Sequence, residues 1–114
     1  MTLESSIARA RGTPSGYLET FRTRTMSGGL YVLPPGATDR QTPHGEDEVY
    51  LVLRGMGRFS HRHRSVAAAE GDLLEVPAGE EHRFHAIEEE LVLFVCFSPP
   101  EGSARSDAGS ASPT

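Results

Sequence analysis

The feature that most constrains the fold is the dense series of glycines and prolines between residues 36 and 98, which leaves only short apolar runs between them. These runs lack the 3.6-residue period of an amphipathic helix. Short runs of aliphatic, aromatic and β-branched residues between turn residues are typical of β-sandwiches and β-barrels. The sequence therefore predicts an all-β domain with strands at Val49–Leu53, Asp72–Val76, His82–Ile87 and Leu91–Phe97.

The ends of the chain differ from this middle part. A chain of 114 residues has room for one hydrophobic core. Leu3–Ala10 can form one or two helical turns before Gly12, Pro14 and Gly16 interrupt any regular element. We predict a loosely held N-terminal arm over residues 1–16, a barrel domain over 17–100, and a disordered tail over 101–114, which has no large apolar residue.

Two further strands are expected before residue 36. Residues 17–25 and 30–33 are rich in aromatic, β-branched and alternating side chains, and Ser27-Gly28-Gly29 separates them. This pattern predicts two strands joined by a turn at those three residues.

Composition excludes several classes of function. The net charge is −5, so no phosphate backbone is attracted and nucleic acid is not an expected partner. The chain has no lysine, which excludes a lysine Schiff base. One cysteine cannot form an intrachain disulfide, and neither a signal peptide nor a run of about 20 apolar residues is present. We expect a soluble cytoplasmic protein without membrane partners.

Two imidazoles and one carboxylate stand at predicted strand ends beside turn glycines: His44, Glu48 and His82. Two histidines and a carboxylate can surround one face of a metal ion and leave positions open for water or substrate. Histidines in β-domains also serve as hydrogen-bonded core or surface residues. From the residues alone both interpretations remain open.

The two stretches that carry these residues resemble the paired motifs of the cupin superfamily, G-x5-H-x-H-x3-E-x6-G and G-x5-P-x-G-x2-H-x3-N. Residues 56–70, between the motifs, are enough for one hairpin. Two positions depart from the pattern: Thr42 replaces the first histidine and Ala86 replaces the asparagine. The matched positions are Gly36, His44, Glu48, Gly55, Gly71, Pro77, Gly79 and His82.

This resemblance implies a single-domain double-stranded β-helix, the jelly-roll or cupin barrel. It also implies a divalent metal held by His44, Glu48 and His82. The hydroxyl of Thr42 is a poor ligand, so water is expected in its place. Fe²⁺, Mn²⁺, Ni²⁺ and Zn²⁺ all suit such a site, and the sequence does not select among them. An empty, hydrogen-bonded site is the alternative.

Strand alternation assigns faces to the residues near this site. It places Glu48, Tyr50 and Val52 on one face of a strand, and His82, Phe84 and Ala86 on one face of a later strand, with His85 opposite. The candidates for lining a substrate pocket are Arg40, Thr42, Tyr50 and Phe84. Arg40 and Tyr50 are also the candidates for an acid or base, although an irregular strand would turn Arg40 to solvent.

Other conspicuous residues have plainer interpretations. His61-Arg62-His63-Arg64 falls where the hairpin between the motifs should turn, so we expect an exposed basic loop. Glu46, Asp47, Glu80 and Glu81 are expected to be solvated turn charges.

Two functions fit these predictions. The first is a metal-dependent enzyme acting on a small organic molecule, as an oxygenase, isomerase, lyase or hydrolase. The second is a non-catalytic small-molecule-binding or sensing module. Leu91–Phe97 is apolar on both faces, which predicts a covered edge strand and hence a homodimer.

Overall fold

The computed structural model describes residues 2–39 and 45–103. The described strands form one antiparallel sheet in the order β1-β2-β6-β3-β4, and β5 pairs with β3, so the predicted all-β fold is confirmed. The elements are α1 (Leu3–Arg11), β1 (Tyr17–Arg22), β2 (Ser27–Leu33), β3 (Asp47–His61), β4 (Arg64–Ala69), β5 (Leu73–Val76) and β6 (His82–Ser98). Among these residues no helix has the length and apolar character needed to cross a membrane.

The two long strands, β3 and β6, join the two parts of the barrel wall. The first half of β3 pairs with β5 and with the end of β6, whereas its second half pairs with β4 and with the start of β6. The register between β3 and β6 shifts between Val52 and Arg58. Each long strand therefore bends at an irregularity and presents side chains to the interior on both sides of it.

The inward-facing positions change from one parity to the other at these bends. In β3 the buried positions are even at Glu48, Tyr50 and Val52, as predicted, and odd at Gly57 and Phe59. In β6 the core-facing positions are even at residues 82 and 84 and odd at residues 87, 91, 93, 95 and 97.

Gly55 allows the bend in β3. Its φ is +99°, and an added Cβ would lie 2.1 Å from the carbonyl oxygen of Glu90, so no side chain fits there. Gly36, Gly71 and Gly79, the other matched glycines of the motifs, also have positive φ.

Ala86 stands at the bend in β6, and its predicted position on the inner face of the strand is wrong. It has φ +48° and is exposed, whereas alternation placed it on the inner face with His82 and Phe84. A residue with left-handed backbone breaks the two-residue alternation, and asparagine or glycine adopts that conformation more readily than alanine.

The N-terminal segment is packed rather than loosely held. It forms a nine-residue helix whose first turn is capped by the side chain of Thr2, which accepts a hydrogen bond from the amide of Ser5. Ile7 and Ala10, three residues apart on one face of the helix, are buried against the outer side of the sheet at Leu30, Val32 and Val92. This spacing was visible in the sequence, but the surface that it covers was not.

The helix also accounts for the apolar character of residues 91–97. β6 is a central strand between β2 and β3, so the predicted edge strand is wrong. Leu91, Leu93 and Val95 face the core, whereas on the outer side Val92 lies in the cluster that contains the helix. Phe94, also on that side, stacks on Phe21 at a centroid distance of 6.2 Å.

The predicted turn at Ser27-Gly28-Gly29 is also wrong, since these residues begin β2 and the turn lies at residues 23–26. Gly29 is needed inside the strand because an added Cβ would lie 1.9 Å from the carbonyl oxygen of Leu18 on β1. The glycines do mark a backbone constraint, but the constraint is the close approach of β1 and not a turn.

Residues 101–103, the first of the predicted disordered tail, form a turn that is tied to the barrel. The amide of Glu101 donates to the hydroxyl of Ser27 at 2.8 Å, and the amide of Gly102 donates to the carboxylate of Glu46 at 3.0 Å. Glu46 is buried rather than solvated as predicted, with 2% of its surface exposed. The rest of the predicted tail lies outside the described residues, and the domain boundaries stay a prediction.

Candidate metal centre

Glu48 and His82, two of the three predicted ligands, face each other inside the barrel. Glu48 is the second residue of β3 and His82 is the first residue of β6. The Nε2 atom of His82 lies 3.1 Å from Oε1 of Glu48, and both side chains are fully buried. The third predicted ligand, His44, lies outside the described residues, as do Arg40 and Thr42.

A backbone carbonyl orients the ring of His82. The Nδ1 atom of His82 lies 3.0 Å from the carbonyl oxygen of Glu80. A carbonyl oxygen can only accept a hydrogen bond, so Nδ1 carries a proton. The atom that faces Glu48 is therefore Nε2, which carries a second proton in the imidazolium form or a lone pair in the neutral form.

The geometry of the pair fits a shared cation. Nitrogen and oxygen ligands at about 2.0–2.2 Å on adjacent positions around a metal ion stand about 3 Å apart. The observed 3.1 Å has this value, and hydrogen bonding of Nδ1 to a carbonyl is the usual support for a histidine ligand. One imidazole and one carboxylate suit Fe²⁺, Mn²⁺, Ni²⁺ or Zn²⁺.

The same distance also fits a hydrogen-bonded ion pair. An imidazolium Nε2–H would donate to the carboxylate of Glu48 and neutralise it without a metal. Within residues 2–39 and 45–103, no three His, Cys, Asp or Glu side chains are grouped as metal ligands. A three-ligand site consequently needs a residue from outside these ranges, such as the predicted ligand His44.

Aromatic rings surround His82. The ring centroids of Tyr50 and Phe59 are 6.0 and 6.2 Å from that of His82, and Phe84 packs at 4.9 Å from Tyr50. Tyr50 and Phe84 are completely buried. These two predicted pocket residues therefore form the apolar wall that excludes water from the pair, which strengthens electrostatic interactions there.

In the histidine-rich turn between β3 and β4, some side chains face solvent and one faces the interior of the barrel. Arg62 and His63 have positive φ and form a two-residue hairpin turn, exposed as predicted. His61 is the exception, because it continues the inward series of Gly57 and Phe59 and pairs in register with His82. Alternation counted forward from Phe59 would have identified it.

Glu80 links this turn to the candidate metal centre and is not the solvated charge that the sequence predicted. Its carboxylate forms an ion pair with Arg62 and a hydrogen bond with His61, and its carbonyl holds His82. The pKa of the Glu80 carboxyl is lowered, chiefly by the hydrogen bond from Arg62. One residue thus fixes both the hairpin turn and the orientation of His82.

Asp39 is a buried carboxylate that sequence reasoning missed. It accepts hydrogen bonds from the hydroxyl of Tyr31 at 2.7 Å and from the amide of Phe84 at 2.8 Å. These bonds attach the chain to the barrel immediately before the segment that contains Arg40, Thr42 and His44. No feature of the sequence distinguishes Asp39 from a loop aspartate.

A cavity of about 420 Å³ opens beside His82. The described residues that line it all have polar or charged side chains, including Thr38, Asp39, His61 and Arg83. Its volume is within the range of small-molecule sites. His85 lies on the opposite face of β6, as predicted, where its Nε2 hydrogen-bonds the hydroxyl of Ser60 at 2.7 Å.

Comparisons with known proteins agree with this architecture. The family model of the cupin domain matches residues 29–98. An uncharacterized protein of Streptomyces coelicolor is 42% identical over 99 residues, which are 87% of this chain and 94% of that protein.

Two solved structures extend the comparison. A Klebsiella pneumoniae protein with a double-stranded β-helix domain has a TM-score of 0.74 at 14% identity, covering 91% of this chain and 90% of that one. A predicted oxalate decarboxylase of Thermotoga maritima has a TM-score of 0.60 at 26% identity, covering 67% and 68%. These likenesses confirm the predicted double-stranded β-helix.

Proposed function

Because this chain belongs to the cupin family, we propose that it is a metal-dependent enzyme acting on a small organic molecule. His44, Glu48 and His82 hold one divalent ion, Fe²⁺, Mn²⁺, Ni²⁺ or Zn²⁺. The polar cavity beside His82 admits the substrate.

One observation carries this proposal: a carboxylate and an oriented imidazole, both fully buried, meet at 3.1 Å. Burying a carboxylate costs free energy unless it is paired with a positive charge. A metal ion supplies that charge, and the carbonyl of Glu80 already orients His82 for ligation.

A bound divalent ion would supply Lewis-acid polarisation of a substrate oxygen or a more acidic water. The residues of the chain have separate roles. Glu48 and His82 fix the position of the ion, whereas Tyr50 and Phe84 exclude water behind it. The polar side chains of the cavity orient a hydrophilic substrate.

The proposal covers four types of reaction. Oxygenase, isomerase, lyase and hydrolase chemistry all remain candidates for this scaffold, because a fold does not select a reaction. Oxalate is a suitable first compound to test, since the Thermotoga maritima neighbour is a predicted oxalate decarboxylase.

A non-catalytic binding or sensing module is the second candidate, and the ion-pair interpretation of Glu48 and His82 favours it. A protonated His82 would satisfy Glu48 without metal, so the barrel would bind its ligand through polar contacts alone.

Metal analysis separates the two candidates. We expect protein purified without chelators to hold about one divalent ion per chain, and His82→Ala and Glu48→Ala to lose it. His85→Ala is the matched control, since it removes an imidazole three residues away on the outer face. Wild-type protein that takes up none of the four ions would favour the binding module.

We also propose a homodimer, although not through an edge strand at residues 91–97. Leu73 on β5 is 69% exposed and pairs with Leu51, which pairs in turn with Phe94. This row of apolar side chains crosses the outer face of β5, β3 and β6. In this proposal a second copy of the chain covers the row.

We further propose the cytoplasm as the compartment, with which a single unpaired cysteine is compatible.

A further inference from the structure

Tyr17 is the first residue of β1 and points into the barrel. It pairs in register with Tyr31 on β2. Its ring packs edge-on against Tyr31 at 6.4 Å and against Phe97 at 6.2 Å between centroids. Phe97 is the register partner of Glu48, so Tyr17 belongs to the same interior as the candidate metal centre.

The hydroxyl of Tyr17 is buried and has no hydrogen-bond partner in the part of the chain that the structure describes. Among the described residues it is the one buried side-chain nitrogen or oxygen in this condition. Its neighbour Tyr31 is satisfied, since it donates to Asp39 at 2.7 Å. Leaving a buried hydroxyl unsatisfied costs free energy, so native proteins keep such groups where a ligand, an ion or water completes them.

The surroundings of Tyr17 make it a donor. Its pKa is raised above the ordinary value, first by burial and then by the carboxylates of Glu101, Glu19 and Glu48. The phenol therefore keeps its proton and seeks an acceptor oxygen.

We propose that Tyr17 is a ligand-binding residue whose hydroxyl donates a hydrogen bond to a carbonyl or carboxylate oxygen of the small molecule inside the barrel. Tyr17 is not among the described residues that line the cavity beside His82, but the polar lining of that cavity suits the same class of ligand, a small hydrophilic acid or hydroxy acid. The inference rests on the proposed function only in requiring that the barrel binds a small molecule, with or without metal.

The first measurement is the thermal stability of ligand-free Tyr17→Phe and Tyr31→Phe. Tyr17→Phe should melt at the wild-type temperature or above it, because it removes an unsatisfied group. Tyr31→Phe should melt lower, because it removes the hydrogen bond that the buried carboxylate of Asp39 accepts from the Tyr31 hydroxyl. An equal fall in both variants would mean that the Tyr17 hydroxyl is already satisfied, and would overturn the proposal.

The second measurement is binding of glycolate, followed by tyrosine emission. The chain has three tyrosines and no tryptophan, so this signal reports on the barrel interior. Wild-type protein should bind glycolate, Tyr17→Phe about 10-fold or more weakly, and His85→Ala as tightly as wild type. 1-Propanol, of similar size but without a carboxylate, should not bind.

Unchanged glycolate affinity in Tyr17→Phe, no binding by wild type, or equal binding of 1-propanol would each overturn the proposal. Titrations are made on metal-free and Co²⁺-loaded protein. If Co²⁺ does not load but metal-free wild type binds glycolate through Tyr17, the metal-dependent function fails and the role of Tyr17 stands. If Co²⁺ loads and glycolate affinity is independent of Tyr17, only this inference fails.

Discussion

His82 and His85 are three residues apart on β6 and lie on opposite faces of the barrel wall. His82 is buried beside Glu48, with its Nδ1 atom held by a carbonyl, whereas His85 is partly exposed and hydrogen-bonds Ser60. Residue type is the same at both positions. The face of the strand therefore determines whether an imidazole is buried beside a carboxylate or hydrogen-bonds a partly buried hydroxyl.

The same contrast holds for most of the wall. Inward side chains meet in one aromatic and aliphatic cluster, and outward side chains are mostly polar apart from the row of Leu51, Leu73 and Phe94. In the region under α1, outward residues such as Val32 and Val92 are also buried. The alternation along a strand thus determines whether a side chain faces the inside or the outside of the barrel. Whether an outward side chain is buried depends on what packs over it.

The largest expected difference between the faces is in stability. Phe84→Ala should lower the free energy of unfolding by about 3–5 kcal/mol, because it leaves a cavity beside Tyr50 and Phe59. Arg83→Ala, the exposed neighbour, should change it by less than about 0.5 kcal/mol. Urea unfolding measures both, and similar values for the two variants would contradict the assignment of faces.

Metal affinity sharpens the comparison of the two histidines. His82→Ala should weaken binding of Co²⁺ or Zn²⁺ by more than about 100-fold, since even residues that only support a ligand contribute about 10–100-fold. His85→Ala should bind within about 2-fold of wild type, because its ring points away from Glu48. Competition with a chromophoric chelator measures these affinities. Equal loss in both variants would indicate a general effect on folding.

The outer face is tested by association. Leu73→Glu should weaken dimerisation at least about 10-fold, because it places a charge in the apolar row with Leu51 and Phe94. Met56→Glu is the control, since Met56 is also an exposed apolar residue but lies in the second half of β3, outside this row. Sedimentation equilibrium checks both variants. A wild-type protein that is monomeric at all concentrations would remove the dimer.

The smallest expected effect concerns Ala86, at which the inward-facing positions of β6 change from even to odd residue numbers. Ala86→Gly should raise stability by about 0.5–1 kcal/mol, because glycine adopts positive φ without the steric cost of a Cβ. Ala86→Asn should have the same sign. Ala67→Gly, in the strand β4 and outside the residues of positive φ, should instead lower stability. Thermal unfolding distinguishes the two, and destabilisation by Ala86→Gly would contradict a left-handed residue 86.

Much of the fold was predictable because it depends on local patterns. The motif glycines mark backbone turns that require positive φ, and the alternation at Glu48, Tyr50 and Val52 is a property of one straight stretch of strand. The predictions failed where alternation was carried across a bend, as at Ala86, or was not counted far enough, as at His61. Helix α1 was underestimated because its partner surface is formed by β2 and β6.

The candidate site was predictable only in part. Glu48 and His82 were identified from their positions in the paired motifs, and their roles as ligands stay a prediction, as do those of His44, Arg40 and Thr42. The roles of Glu80 and Asp39 could not be predicted, because each acts through hydrogen bonds to residues brought close by other strands. Tyr17 likewise became conspicuous only through an unsatisfied hydroxyl.

The amino-acid sequence by itself determined the number of domains, the strand-rich architecture and the backbone positions that only glycine tolerates, since these follow from the conformational preferences of neighbouring residues. The tertiary structure alone decided which side chains meet inside the barrel. Contacts between strands far apart in the chain depend on register and on where each long strand bends, and a shift of one residue exchanges the inner and outer faces.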